Sequence, residues 1–119
     1  MKYILLAYAD EQRLAAMSRD EREALRNACL ASDAALRESG HLLAALGLQS
    51  SRSAATVRVE NGGVSVSVGP CAEMDEQLVG IFTIDARDLN EAIQVAATMP
   101  QGRGGPIEVR PIAESDVCP

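Results

Sequence analysis

Tryptophan is absent from this 119-residue chain, phenylalanine occurs once and tyrosine twice. Base-stacking surfaces need several exposed aromatics on one sheet, and Tyr3, Tyr8 and Phe82 are too few to build one. Basic residues are also scarce: eleven lysines and arginines stand against seventeen aspartates and glutamates, for a net charge of −6 and a pI near 4.7. A chain of that sign lacks the basic face that displaces counterions from nucleic acid. Both shortages argue against direct nucleic-acid binding. Histidine occurs once, at His41, and the three cysteines Cys29, Cys71 and Cys118 are far apart with no CxxC pair. No zinc site of the usual kind is expected from such a set, and no cofactor motif is present. Long apolar runs are missing too. The longest, Tyr3 to Ala9, falls far short of the roughly twenty residues that cross a bilayer. It meets Asp10 and Glu11 without a cleavage pattern, so no export signal is read, no membrane association is expected, and the protein is expected in the cytoplasm with reduced thiols.

What remains is an ordinary globular composition, 47% hydrophobic and 24% charged. The length suits one domain, placed at residues 1–113, with 114–119 as a loose tail. Tyr3–Tyr8 is apolar at every position and reads as a strand covered on both faces. A polar stretch, Asp10 to Arg13, follows. Helix one opens at Ser18, where Ser-Arg-Asp-Glu forms a capping box with Glu21. Leu25, Ala28, Cys29, Ser32, Ala35 and Leu36 recur at helical spacing, and Gly40 stands where a left-handed cap wants glycine.

His41 to Leu48 reads as a second strand. Thr56–Glu60 and Val64–Val68 alternate valine with polar residues around Asn61-Gly62-Gly63, which marks a hairpin with one buried and one wet face. A two-residue turn sets valine opposite valine, and Asn-Gly favours it. Leu78–Ile84 is a further strand apolar on both faces. Helix two opens at Asp88 with a second capping box ending at Glu91, carries Ala92, Ile93, Val95, Ala96 and Met99 inward, and stops at Pro100. Gly102 to Gly105 reads as a flexible turn, and Ile107–Arg110 as the last strand.

With the hairpin set aside the order is βαββαβ, an α+β ferredoxin-like fold with an inserted β-hairpin. Right-handed crossovers put both helices on one face of the sheet. The two central strands are apolar on the other face as well, and each large side chain left in water forgoes about 1.5–3 kcal/mol. A second copy of the sheet is the simplest cover, so the chain is expected to be a homodimer packed face to face.

The run Val68-Gly69-Pro70-Cys71-Ala72-Glu73-Met74-Asp75-Glu76-Gln77-Leu78-Val79-Gly80 resembles the D-G-P-F-A-E-T-K-E-Q-L-G-G signature of the YCII-related, or DGPF-domain, family. Met1-Lys2-Tyr3-Ile4-Leu5-Leu6 resembles the family's opening strand, Gly40-His41-Leu42-Leu43 with Gly47-Leu48 its second, and Ile107-Glu108-Val109-Arg110-Pro111 its closing V-E-V-R-P strand. The resemblance implies the dimeric α/β-barrel arrangement. The family's YciI branch is thought to use a histidine in helix one and an aspartate before a proline after helix two. Here helix one holds no histidine and Met99 precedes Pro100. Association with extracytoplasmic-function sigma factors, known for some members, is a further role the resemblance implies.

Five residues are candidates for a site. His41, the one imidazole of the chain, is the first choice for general acid or base; the plainer reading is a cation at a helix C-terminus, or simple exposure. Glu73 and Glu76 match the signature's glutamates and can move protons beside an apolar cleft, or stay solvated. Arg110 can anchor a carboxylate or phosphate, or form a surface ion pair. Asp85 can partner His41 or Arg110, or merely end its strand. Cys71 lacks a base or helix N-terminus to activate it and reads as packing. The best reading is a small-molecule-binding or regulatory homodimer. A small acid–base enzyme using His41 or Glu73, and a sigma-factor interaction module, are the alternatives.

Overall fold

The computed structural model describes residues 1–114. Most of the expected loose tail, with Cys118, lies outside the described residues. Among the described residues six strands and three helices follow in order: β1 (Lys2–Asp10), α1 (Glu11–Ala16), α2 (Arg19–Glu38), β2 (Leu42–Gly47), β3 (Ala55–Glu60), β4 (Gly63–Val68), β5 (Glu76–Asp85), α3 (Leu89–Thr98) and β6 (Ile107–Pro111). Short 3-10 turns at Ser51–Ser53 and Pro100–Arg103 complete the trace. Strands β2-β5-β1-β6 make an antiparallel sheet in that order, and β3-β4 stand apart as a two-stranded ribbon. The fold is α+β and ferredoxin-like, with the hairpin inserted between the second and third strands of the sheet.

Alternation in β1 sorts its two faces. Tyr3, Leu5, Ala7 and Ala9 are buried, while Ile4, Leu6 and Tyr8 on the opposite face are half-buried. The buried side meets Phe82 and Ile84 of β5, Leu42 of β2, and Ala92, Val95, Ala96 and Met99 from α3 and its end. Leu36 of α2 and Ile107 and Val109 of β6 pack against that cluster, so both long helices share one face of the sheet. No helix among the described residues covers the other face. Across it run Glu108, Leu6, Ile81 and Leu46 in one row and Arg110, Ile4, Thr83 and Ala44 in the next. Leu46 is 61% exposed.

The helix termini follow their sequence cues with two exceptions. Ser18 and Glu21 exchange both hydrogen bonds of the capping box, each at 3.1 Å. At the far end His41 N–H donates to Leu36 O (3.0 Å), Gly40 N–H to Arg37 O (3.1 Å), and Gly40 takes φ +83°. Helix α1 is the first exception. Asp10 ends the strand and also caps this helix, accepting from the N–H groups of Gln12 (3.0 Å) and Arg13 (3.3 Å), so the expected polar stretch is a helical turn. The second is α3. Asp88 accepts from Glu91 N–H at 2.9 Å, but the Glu91 carboxylate turns elsewhere and its capping box is half-formed.

Three smaller expectations are corrected. Ala35 is exposed and Ile93 is 48% exposed, so neither faces inward. The segment Gly102–Gly105 is not a loose turn: Gly102 and Arg103 lie in the 3-10 turn, and Gly105 packs against the backbone of Tyr8. The hairpin follows its valine register, but the face expected to be buried is exposed. Asn61 (φ +50°) and Gly62 (φ +76°) form a two-residue turn, and Val59 faces Val64, Val57 faces Val66.

Candidate functional site

A cleft of about 820 Å³ opens where β1 ends and β5 begins. Asp10, Glu11, Leu14 and Ala15 form one wall, Leu48 and Ser50–Arg52 a second, and Val68–Pro70, Glu73–Asp75, Gln77 and Val79 the rest. Its walls are laced together by side chains rather than by sheet. The Glu11 carboxylate accepts from the backbone N–H of Ser51 at 2.9 Å and from the Ser51 hydroxyl. Those hydrogen bonds, the hydroxyl's first and the amide's second, hold the Glu11 carboxyl below the ordinary value of 4.5. The Gln77 amide donates to Ala72 O (3.2 Å) and Met74 O (3.0 Å), which folds the signature loop against β5. Gly69, at φ +109°, donates to Ala54 O (2.7 Å) and accepts from the Thr56 hydroxyl (2.9 Å). The two arms of the hairpin are thereby closed on each other at its base, where Val68 and Gly69 line the cleft.

The ionisable lining is four carboxylates, Asp10, Glu11, Glu73 and Asp75, against one guanidinium, Arg52. Two of the carboxylates already hold the frame, Asp10 as a helix cap and Glu11 on Ser51. Glu73 and Asp75 are exposed on the loop. Among the described residues no group of three or more acidic, histidine or cysteine side chains is placed to hold a metal ion.

The candidates from sequence are not brought together. Glu73 lines the cleft; Glu76, exposed at the start of β5, pairs across from Asp10 and is not part of the lining. His41 lies at the opposite end of the same strand, where its carbonyl accepts from Asp85 N–H at 2.8 Å. At about 3.3 Å per residue, the length of β5 separates the two ends by roughly 30 Å.

The ring of His41 is engaged on both sides. Nδ1 lies 2.8 Å from the Ser39 hydroxyl oxygen, and Nε2 lies 3.2 Å from Glu91 Oε1. Ser39 directs its own proton to Leu36 O at 3.0 Å. Glu91 is shared with Arg87, whose Nε lies 2.5 Å from the second carboxylate oxygen. Partial desolvation pushes the Glu91 carboxyl up, but the Arg87 hydrogen bonds and charge, with the His41 bond, outweigh it and leave it below 4.5. None of the described cavities includes His41.

Asp85 pairs with neither His41 nor Arg110. It accepts from the Met1 amino group at 2.9 Å, whose hydrogen bond and charge hold the carboxyl below 3.8. Arg110 approaches Glu108 two residues earlier on the same strand, at 3.7 Å, on the open face of the sheet. Cys71 is exposed; Cys29 is half-buried, and burial, then the Asp33 charge, pushes its thiol up.

The residues that organise the cleft, Glu11, Gln77 and Ser51, were not candidates from sequence. Asp10 followed by Glu11 is an N-cap signal with an acidic first turn, and could have shown α1. Nothing local marks Glu11 and Ser51, forty residues apart, as partners.

A four-stranded antiparallel sheet in the order β2-β5-β1-β6, helices on one face and a cleft beside the loop before β5 define a ferredoxin-like α+β domain. The chain belongs to the family of the YCII-related domain, whose family model matches residues 1–116. An uncharacterized protein of Rhizobium meliloti (strain 1021) is 36% identical over 115 residues, covering 95% of this chain and 93% of the relative. Among the described residues no helix is long and apolar enough to cross a membrane.

Proposed function

We propose that this YCII-related protein is a cytoplasmic homodimer that binds a small molecule in the cleft beside Glu73 and serves as a binding or regulatory module. The observation that carries the reading is the distance between its proton-moving candidates. His41 is engaged by Ser39 and Glu91 at one end of β5, and the cleft with Glu73 is at the other, so these two are not assembled as an acid–base pair at the cavity. The cleft's size falls in the range of small-molecule sites, and its carboxylate-rich lining favours a ligand that presents amine or hydroxyl donors over one that presents a carboxylate. The uncovered sheet face supports the dimer, with a second sheet as its cover.

Thermal unfolding of the full chain against a panel of polyols, amines and amino-alcohols, with carboxylates as the contrasting set, tests the reading. A true ligand at a hundred times its dissociation constant adds about 2.7 kcal/mol of stability. A panel in which nothing shifts the transition, or in which carboxylates alone do, overturns it. A second reading has one observation in its favour: Glu73 does lie on the cleft, as a single proton-moving group would. It predicts turnover of a bound compound that disappears in Glu73→Gln while binding remains.

A further inference from the structure

We propose that the valine face of the β3–β4 hairpin is the arm that grips a second copy of this chain, extending the dimer interface from the open sheet face to the mouth of the cleft. The inference rests on the dimer reading above and adds the segment that makes the contact. Val57 and Val66, Val59 and Val64, and Ala55 and Val68 pair across the ribbon, so one face carries only apolar side chains. Thr56, Arg58, Glu60, Ser65 and Ser67 take the other face. All five valines are between 60% and 88% exposed within one chain. A ribbon wet on both sides has no use for such strict alternation, and two strands alone are marginally stable in water.

The shape of the chain points the same way. Its radius of gyration is 16.2 Å, where a compact domain of this length has roughly 13–14 Å, and its smallest dimension is 18 Å. That is a plate two layers thick with a ribbon standing out from it. The valines offer roughly 500 Å² per copy, the upper range of apolar patches on monomers. Hairpin alone against hairpin therefore reaches only about 1,000 Å² in total, the lower limit for a specific interface. With Leu46, Ile81 and Leu6 of the sheet face included, the buried area approaches the usual size.

Charge restricts where two copies can meet. Each copy carries −6, so copies repel except where the contact is uncharged. The valine face holds no charge, since Arg58 and Glu60 point to the other side, and it offers no polar group with which to read an unlike protein. Val68 closes the argument: it lies on this face and also lines the cleft with Leu48 and Val79. A copy seated on the valines borders the ligand site.

Sedimentation equilibrium of the full chain tests the assignment with two variants. Val59→Thr/Val64→Thr/Val66→Thr keeps β-branched side chains and strand preference, and is expected to weaken dimerisation at least 100-fold. Leu46→Gln probes the sheet face. If the wild-type chain is a monomer at 100 micromolar, or associates only with an unlike protein, the dimer reading and this inference fall together. If the wild type dimerises, Leu46→Gln weakens it and the valine variant does not, the hairpin assignment alone is overturned. Hydrogen exchange of wild-type protein gives a reading that no folding defect can spoil. Amides of β3 and β4 are expected to exchange more slowly as concentration rises through the dissociation constant, and exchange independent of concentration overturns the proposal.

Discussion

A methyl group at Gly105 would run into the carbonyl oxygen of Tyr8. The same stretch is fastened from the other side, where Tyr8 N–H donates to Pro106 O at 3.0 Å. Backbone therefore lies directly on backbone, and the link between α3 and β6 is seated against the end of β1 that turns into Asp10 and the cleft. Gly105→Ala is expected to lower stability by about 1–3 kcal/mol, as overpacking does, read as a fall in the urea midpoint. Gly102→Ala is the control. Its nearest neighbour would be the Ile107 methyl at 3.7 Å, ordinary contact, so its midpoint should stay close to wild type.

The hairpin turn gives a second, local test. Asn61 and Gly62 both hold positive φ, which matches the right-handed twist of the two arms. Gly62→Ala places a Cβ in the left-handed region at a cost of about 1–2 kcal/mol. Because the ribbon forms a sheet of its own, its arms closed on each other at the base by Gly69 and Ala54, the expected signature is faster amide exchange in β3 and β4 with little change in the main sheet. A uniform loss across all strands would show instead that ribbon and sheet unfold as one unit.

These features were legible in sequence because they are local. A serine three residues before a glutamate, a glycine after a helix, and Asn-Gly between alternating valines each determine a conformation through neighbours along the chain. The sheet order followed from two further rules, strand pattern and crossover hand. Helix α1 was missed because Asp10 stands at the end of an apolar strand and Arg13, not glutamate, occupies the place that would complete a capping box. Glu91 was read through its position alone, as the third helical residue of α3. Its carboxylate goes to the Arg87 guanidinium and backbone N–H and to His41, fifty residues away, instead of back to Asp88. The site suffers the same limit. Glu11 with Ser51, and Gln77 with the loop carbonyls, are pairings that only the tertiary fold creates.

Acid sensitivity follows from the carboxylates that the fold has engaged. Glu11, Glu21, Asp85 and Glu91 all titrate below their ordinary values when folded, from Ser51, Ser18, the Met1 amine and Arg87 respectively. A depressed folded value means the unfolded chain takes up protons first as pH falls. Their stabilisation is thus fully present above 4.5 for the glutamates and 3.8 for the aspartate, and is lost as pH drops through the lower folded values. Urea midpoints should hold steady from neutral pH to about 5 and decline below. Glu11→Gln should flatten part of that decline. A midpoint that rises on acidification would show that relief of the −6 net charge outweighs these pairs.

Gln77 is where fold and proposed function can be separated. Its amide group donates to Ala72 O and Met74 O at once, and those are the carbonyls of the loop that presents Glu73 to the cleft. Gln77→Ala removes both bonds, each worth about 0.5–1.5 kcal/mol, with the lower figure apt for an exposed loop. Gln77→Glu keeps the side-chain length but replaces the donors with a carboxylate that faces two carbonyl oxygens and the acidic lining. The glutamate variant should therefore be the worse of the two for loop order, seen as faster exchange over residues 70–75, while the sheet amides stay protected. For any compound that shifts the melting transition of the wild type, the affinity should fall about tenfold or more in Gln77→Ala and further in Gln77→Glu, because a loop that must be ordered on binding charges its entropy to the complex. Ligand affinity that survives both substitutions would place the binding site away from this loop, and with it away from Glu73.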